Sequence, residues 1–368
     1  MEHMARPRIR DGLHEEMRNM KRIDRSMQAL VGPMALMGIA AAVALSASAD
    51  EYRLKQDNCN DNSVPRRWGD AGSWEVKDEF GVWGPASSKP NSDDLVWIQN
   101  DKCVYIIGGD ASAAHEEAGE IYVCKSGETT GECNGASGAG VINIVDGSSL
   151  TLYEDSVVNG EIVFYSTTVS PCQTTGELRI RKSDDLEIDG NGGKIRTGGA
   201  NGRIKAHSSI CEDEATCDTR LIIDGATPGN DNTSMTVRTD GGCDIEISVK
   251  LGNQGDVHAN YGDIRLTTSR KNGNPGFYRA SGGKIEVDHE VRGGATWRLE
   301  GTGGEIQFDV ECVNLSGPFY IPMGVLRVNQ LVCTTGHGYY GGQIGENPQD
   351  AFIRAAAGKK ITFHGDCD

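Results

Sequence analysis

The sequence contains no Cys-x-x-Cys, no zinc-type Cys/His spacing, no Gly-x-Ser-x-Gly and no His-Glu-x-x-His. The familiar signatures of thiol redox chemistry, structural zinc, serine hydrolysis and zinc proteolysis are therefore missing. Gly192-Gly193 and Gly303-Gly304 precede strand-like text rather than a helix, so they are corners and not phosphate cradles. No nucleotide, haem or zinc site is implied. Basic residues are in deficit, with 36 Lys and Arg against 53 Asp and Glu and a net charge of −17. A phosphate backbone is held by a basic surface, so a nucleic-acid partner is excluded. The acidity suits solubility, a cation or a basic partner. Proline is sparse, at 11 residues, and helical periodicity is nearly absent beyond residue 50.

What is present begins with an export signal. Lys21, Arg22 and Arg25 supply positive charge after Met20, and Ala29 to Leu45 is an almost unbroken apolar run. Ala47-Ser48-Ala49 then offers small residues for cleavage, so residues 1–49 read as a signal peptide, with Met20 a plausible true start. The run is short and rich in small side chains for a membrane span, and an uncleaved anchor is the alternative. Removing 1–49 leaves 29 basic and 48 acidic residues, a net of about −19. All 11 cysteines lie after the cleavage site, which in an exported chain points to disulfides. Cys124/Cys133 and Cys211/Cys217 are short-range pairs, and Cys312 and Cys333 are further candidates; connectivity is not readable from sequence. The odd number leaves one thiol free or joined to another chain.

A phrase recurs along the chain: Gly, any residue, Ile or Leu, then alternation. It appears at Gly119-Glu120-Ile121, Gly140-Val141-Ile142, Gly160-Glu161-Ile162, Gly176-Glu177-Leu178 and Gly193-Lys194-Ile195. It resumes near Asp244-Ile245 and continues at Gly262-Asp263-Ile264, Gly283-Lys284-Ile285, Gly304-Glu305-Ile306 and Gly324-Val325-Leu326. From Ile245 the anchors fall 19, 21, 21 and 20 residues apart; earlier intervals are 21, 20, 16 and 17. Such a period suits one coil of a parallel β-helix. Alternation as in Ile285-Glu286-Val287-Asp288 puts apolar residues on one face. Stacking would align Ile245, Ile264, Ile285, Ile306 and Leu326 in one inward ladder, and Ile247, Leu266, Val287, Phe308 and Val328 in another. The fold expected is an all-β, single-domain β-solenoid over 111–368, about 12 coils of roughly 16–22 residues. An antiparallel sandwich would explain the alternation but not the interval.

Residues 50–110 form an N-terminal loop and tryptophan-rich cap. This stretch holds Arg67-Trp68-Gly69-Asp70, Ser73-Trp74, Val82-Trp83-Gly84 and Pro90-Asn91-Ser92-Asp93-Asp94-Leu95-Val96-Trp97-Ile98. With Gly147-Ser148-Ser149-Leu150-Thr151-Leu152, it resembles the eight-glycine domain of cell-surface and secreted proteins over residues 66–155. The resemblance implies an extracellular β-rich module, sometimes attached to polysaccharide-handling proteins. Trp68, Trp74, Trp83 and Trp97 either plug the open end of the stack or present rings to carbohydrate.

Chemistry has one candidate location. Asp288 and Asp309 should lie one coil apart, with Glu286 beside Gln307, Glu290 near Glu311, and Arg265 one coil earlier. Close carboxylates bind calcium or divide into an acid and a base, as in polysaccharide lyases on β-helices. Asp288, Asp309, Glu286 and Glu311 are thus candidate calcium ligands, and Asp288, Asp309 and Arg265 candidate catalytic groups; a solvated acidic face explains the same letters. Asp57 to Asn62 is oxygen-rich but lacks the glycine and glutamate of a calcium loop, and His289 falls on the inward side. Asn232-Thr233-Ser234 and Asn314-Leu315-Ser316 are glycosylation sequons. The functional expectation is a secreted or cell-surface scaffold of the adhesion type, contacting extracellular glycans or copies of itself, without stable membrane insertion. A β-helical polysaccharide lyase or hydrolase and a calcium- or carbohydrate-binding module are the alternatives.

Overall fold

The structure, a computed structural model, describes residues 49–55, 66–108, 113–210, 219–225, 233–267, 276–288, 292–293, 295–299 and 304–308, together with the strands Asn314–Leu315, Phe319–Ile321, Val325–Val328, Ile353–Ala355 and Thr362–Phe363. These residues are all-β. Their one helical turn is Ala71–Ser73, capped by the Asp70 carboxylate, which accepts from the Gly72 N–H at 2.9 Å.

Strands are dealt to three sheets in rotation. Leu95–Ile98 enters the first sheet, Cys103–Ile106 the second and His115–Ala118 the third; Glu120–Val123 then returns to the first beside Leu95–Ile98. The rotation runs to Lys250–Asn253, the last strand of the first sheet, which counts nine with two antiparallel strands at its start; later described strands alternate between the second and third sheets, which hold ten each, while Arg292–Gly293 and Asn314–Leu315 pair with each other. Pairing is parallel throughout the second and third sheets. Along many strands buried and half-exposed residues alternate, as in Lys284–Val287 and Glu305–Phe308, whereas Ser149–Leu152 and Asp256–Ala259 are buried throughout. This is the period-two pattern of a strand buried on one face. One buried cluster draws side chains from all three sheets, including Ile121, Ile142 and Leu150.

Both ladders of the third sheet form in the expected register, and their members from Ile245 to Phe308 are buried. Ile245, Ile264, Ile285, Ile306 and Leu326 are successive partners, as are Ile247, Leu266, Val287, Phe308 and Val328. The first-half spacing needs correction. Ile121 belongs to the first sheet, Ile142, Ile162 and Ile195 to the second, and Leu178 to the third. Intervals of 16 and 17 therefore measure steps between sheets and not a coil. Partners in neighbouring strands of the third sheet lie as far apart as Ile204 and Ile247, 43 residues. Among the described residues the spacing between partner strands is thus unequal along the chain.

The phrase-start glycines have a specific cause. A Cβ on Gly283 would strike the backbone carbonyl of Gly262, and one on Gly262 that of Cys243. Gly304 is pressed likewise onto Ala280. Backbone meets backbone between levels, and only a residue without a side chain fits.

At the N-terminal end the first sheet turns antiparallel: Glu51–Leu54 pairs with Trp74–Lys77, which pairs with Trp83–Pro85. Trp68 and Trp74 are wholly buried there, edge to face at 5.1 Å, with the Trp74 indole N–H donating to the Trp68 carbonyl at 2.8 Å. The first inward position of the third sheet holds Glu116, beside Leu150 and 5% exposed; Lys89 ion-pairs with it at 2.6 Å.

Candidate functional site

The outer face of the third sheet carries a ladder of charge. Glu177, Arg203, Glu246, Arg265 and Glu286 are successive partners, so the sign alternates from strand to strand, and Gln307 follows. Arg203 meets Glu246 at 3.2 Å, while Glu177 also receives Lys205 at 2.9 Å and Arg179 at 2.6 Å. Burial disfavours ionised Glu177, but hydrogen bonds from Lys205 and Arg179 outweigh it and hold the carboxyl below its ordinary value. Opposite charges facing across strands stabilise a sheet by about 0.2–1 kcal/mol per pair. The face is not a strip of one sign.

Of the candidate catalytic residues, Arg265 and Asp288 come together, Nε to Oδ2 at 2.7 Å. Donation of its hydrogen bond to Asp288, the charge of Asp288, and the charges of Glu286 and Glu246 raise the guanidinium above its ordinary value. Glu286 is bonded to Lys284 at 3.0 Å. Two of the four candidate calcium ligands are thus engaged by cations, which a divalent ion would have to displace. Asp309 and Glu311 lie outside the described residues, as do Glu290, His289, the Asp57–Asn62 run and Asn232.

The tryptophans do not form a common platform. Trp68 and Trp74 are core residues with no accessible ring, which corrects the carbohydrate expectation for both. Trp97 stacks on Tyr122, with ring centroids 4.4 Å apart, and Gly131 packs against its outer edge. The Arg53 guanidinium lies over Trp83 at 4.5 Å, and the Trp83 indole donates to Glu132 at 3.1 Å. Glu132 also receives Lys77 at 3.3 Å. Trp83 and Trp97 are half-buried and hold down the 124–138 loop.

Cys124 and Cys133, the short-range pair suggested by spacing, are bonded to each other. Cys172 and Cys243, 71 residues apart, form a second disulfide that spacing does not suggest, and Cys103 is also bonded. Cys211, Cys217, Cys312 and Cys333 lie outside the described residues. Among the described residues the one close group of metal-type donors is Cys124, Glu128 and Cys133. Its sulfurs are joined to each other, leaving a single carboxylate. Burial pushes the Glu128 carboxyl up, but hydrogen bonds from Thr130, Tyr122, Lys125 and Asn159 outweigh this and hold it low. Burial drives the Tyr122 phenol up to about 12.

The second sheet holds a polar network that sequence reading missed. Arg279 grips Asp256 through Nε and Nη2, Nε to Oδ1 at 2.9 Å, with side-chain exposures of 8% and 0%. Nearby, His258 Nε2 lies 2.6 Å from Ser281 Oγ. Ser281 is 3.1 Å from Asn260 Oδ1, Asn260 donates to Asp240 at 3.0 Å, and Arg238 donates to Asp240 at 2.8 Å. A histidine beside a serine suggests a nucleophile, but the network assigns the proton otherwise. The Asn260 amide is fixed by its donation to Asp240, so its oxygen takes the one serine proton and His258 is the donor to Ser281. A serine held this way is not activated for attack.

No known protein family, curated protein or solved structure matches the chain. Among the described residues, no helix is long and apolar enough to cross a membrane.

Proposed function

We propose that this chain is an exported parallel β-helical scaffold of the adhesion type, which contacts extracellular glycans and does not turn them over. The observation that carries the reading is the alternating ladder Glu177–Arg203–Glu246–Arg265–Glu286. Its charges compensate one another along the stack, which suits a stiff display surface better than an acid and a base held apart for proton transfer. The rotation of strands among three sheets around one buried cluster supports the β-helix. The disulfides support export to an oxidising compartment.

Glycans are favoured over copies of the chain by the N-terminal edge. That edge is closed by a short antiparallel strand ending in Pro85, a device that discourages further strand addition.

The test is to incubate the purified protein with arrayed neutral and acidic glycans, scoring retention and product release separately. Retention without new reducing or unsaturated ends is expected. Release of oligosaccharide that Asp288→Asn abolishes would establish the lyase or hydrolase instead. Retention of no glycan would overturn the reading.

A further inference from the structure

Where the second sheet turns into the third, three successive levels use equivalent corners. Thr239, Ala259 and Ala280 are register partners, so Gly241, Tyr261 and Gly282 follow at the same offset, although the corner before Ile245 is one residue longer than those before Ile264 and Ile285. All three have left-handed backbone, with φ of 69°, 136° and 115°. Glycine adopts this conformation freely, whereas an aromatic residue does so only under strain. Tyr261 departs from the pattern, and its side chain gives the fold little in return, since the residue is 65% exposed.

The surroundings suit a ligand. A Cβ on Gly282 would lie 3.2 Å from Tyr261 Cδ1, so the ring rests over a bare glycine on one side. On the preceding level, Cβ atoms on Gly241 and Gly242 would meet nothing within 4 Å, so the space at those two glycines is open. The half-buried Asn260 directly precedes Tyr261 in the chain and bonds to Ser281, and both are braced by the His258 and Asp240 contacts already described. Asp244 and Asp263 stand at the same corner, each accepting a backbone N–H from the next level.

We propose that Tyr261 is a glycan-contact residue, stacking on the apolar C–H face of a sugar ring while Asn260, Ser281 and the corner carboxylates meet its hydroxyls. Strained backbone that the core does not require is a mark of a binding position. The carboxylates, on a chain of net charge −17, select an uncharged glycan over a uronate or sulfate. This deepens the proposed glycan contact and rests on it.

The test uses the full chain, neutral gluco-, manno- and galacto-oligosaccharides, and polygalacturonate and heparin as acidic probes. Tyr261→Gly is expected to weaken neutral-glycan binding about tenfold, the equivalent of a stacked ring contributing about 1.4 kcal/mol. It should leave the melting temperature unchanged or higher, because glycine relieves the backbone. Tyr261→Phe should keep most of the binding. Wild-type affinity in Tyr261→Gly, or a lowered melting temperature with binding intact, would overturn the inference. Retention of acidic glycans alone would also overturn it while leaving the scaffold reading standing; retention of no glycan would remove both.

Discussion

Replacing Arg279 by Met should be among the most damaging single changes on the outer side of the second sheet. Asp256 is fully buried, and the guanidinium reaches it diagonally from the neighbouring strand, His258 being the direct partner of Arg279. Attraction within such a pair roughly offsets the cost of removing both charges from water, so the intact pair adds little net stability. Taking away the cation leaves that desolvation cost in place, at about 3–5 kcal/mol. A typical domain is stable by only about 5–15 kcal/mol, so the loss would be visible in any equilibrium measurement. Urea unfolding followed by circular dichroism is the assay, with the midpoint expected to fall at nearly constant slope. Exchange of the 256–259 and 277–280 amides should accelerate first. The double variant Asp256→Leu/Arg279→Met should recover most of the stability, because neither charge then needs a partner. A cost below about 1 kcal/mol for Arg279→Met, or a double variant as unstable as the single, would refute the argument.

Arg265→Glu sets like charges beside Glu246 and Glu286 and removes the Asp288 contact. It should destabilise by roughly 0.5–2 kcal/mol at low salt and by less in high salt, read by thermal melting across ionic strengths. Glu177 has a folded-state value below its ordinary 4.5, so its contribution is complete above about pH 4.5 and lost as pH falls through the folded value. Glu177→Gln should therefore flatten the acid limb of a stability–pH curve while leaving its shape near pH 7 unchanged. Gly283→Ala drives a methyl group into the Gly262 carbonyl and should cost about 1–3 kcal/mol or more. Gly84→Ala, where a Cβ meets nothing within 4 Å, should be neutral within about 0.5 kcal/mol by urea unfolding.

The second-half ladders were legible because one side of the stack repeats there at intervals of 19 to 21 residues, with Ile, Leu, Val or Phe at each inward position. In the first half the same Gly-x-Ile phrase starts strands of all three sheets, at Gly119, Gly160 and Gly176. Each corner brings backbones together, so the phrase marks any side and cannot say which. Charge alternation on the third sheet joins Arg203 to Glu246 and Glu246 to Arg265, unequal distances along the chain, and emerges only once register is known. Cys124–Cys133 is local and readable; Cys172–Cys243 depends on which corners stack. Tyr261 was within reach: aligning levels on Gly262 and Gly283 sets it against Gly282. Four tryptophans in one segment suggested a shared role, but composition cannot say which rings are enclosed.

Unequal levels have an evolutionary consequence. Ile247 has one third-sheet partner 43 residues before it and another 19 residues after it, and both sit in unbroken register. The cost of closing a loop grows only slowly with its length. Corners can therefore lengthen, shorten or acquire new sequence while every strand keeps its address in the stack. Selection on what the molecule presents to its surroundings can then proceed corner by corner, decoupled from selection on the frame that holds it.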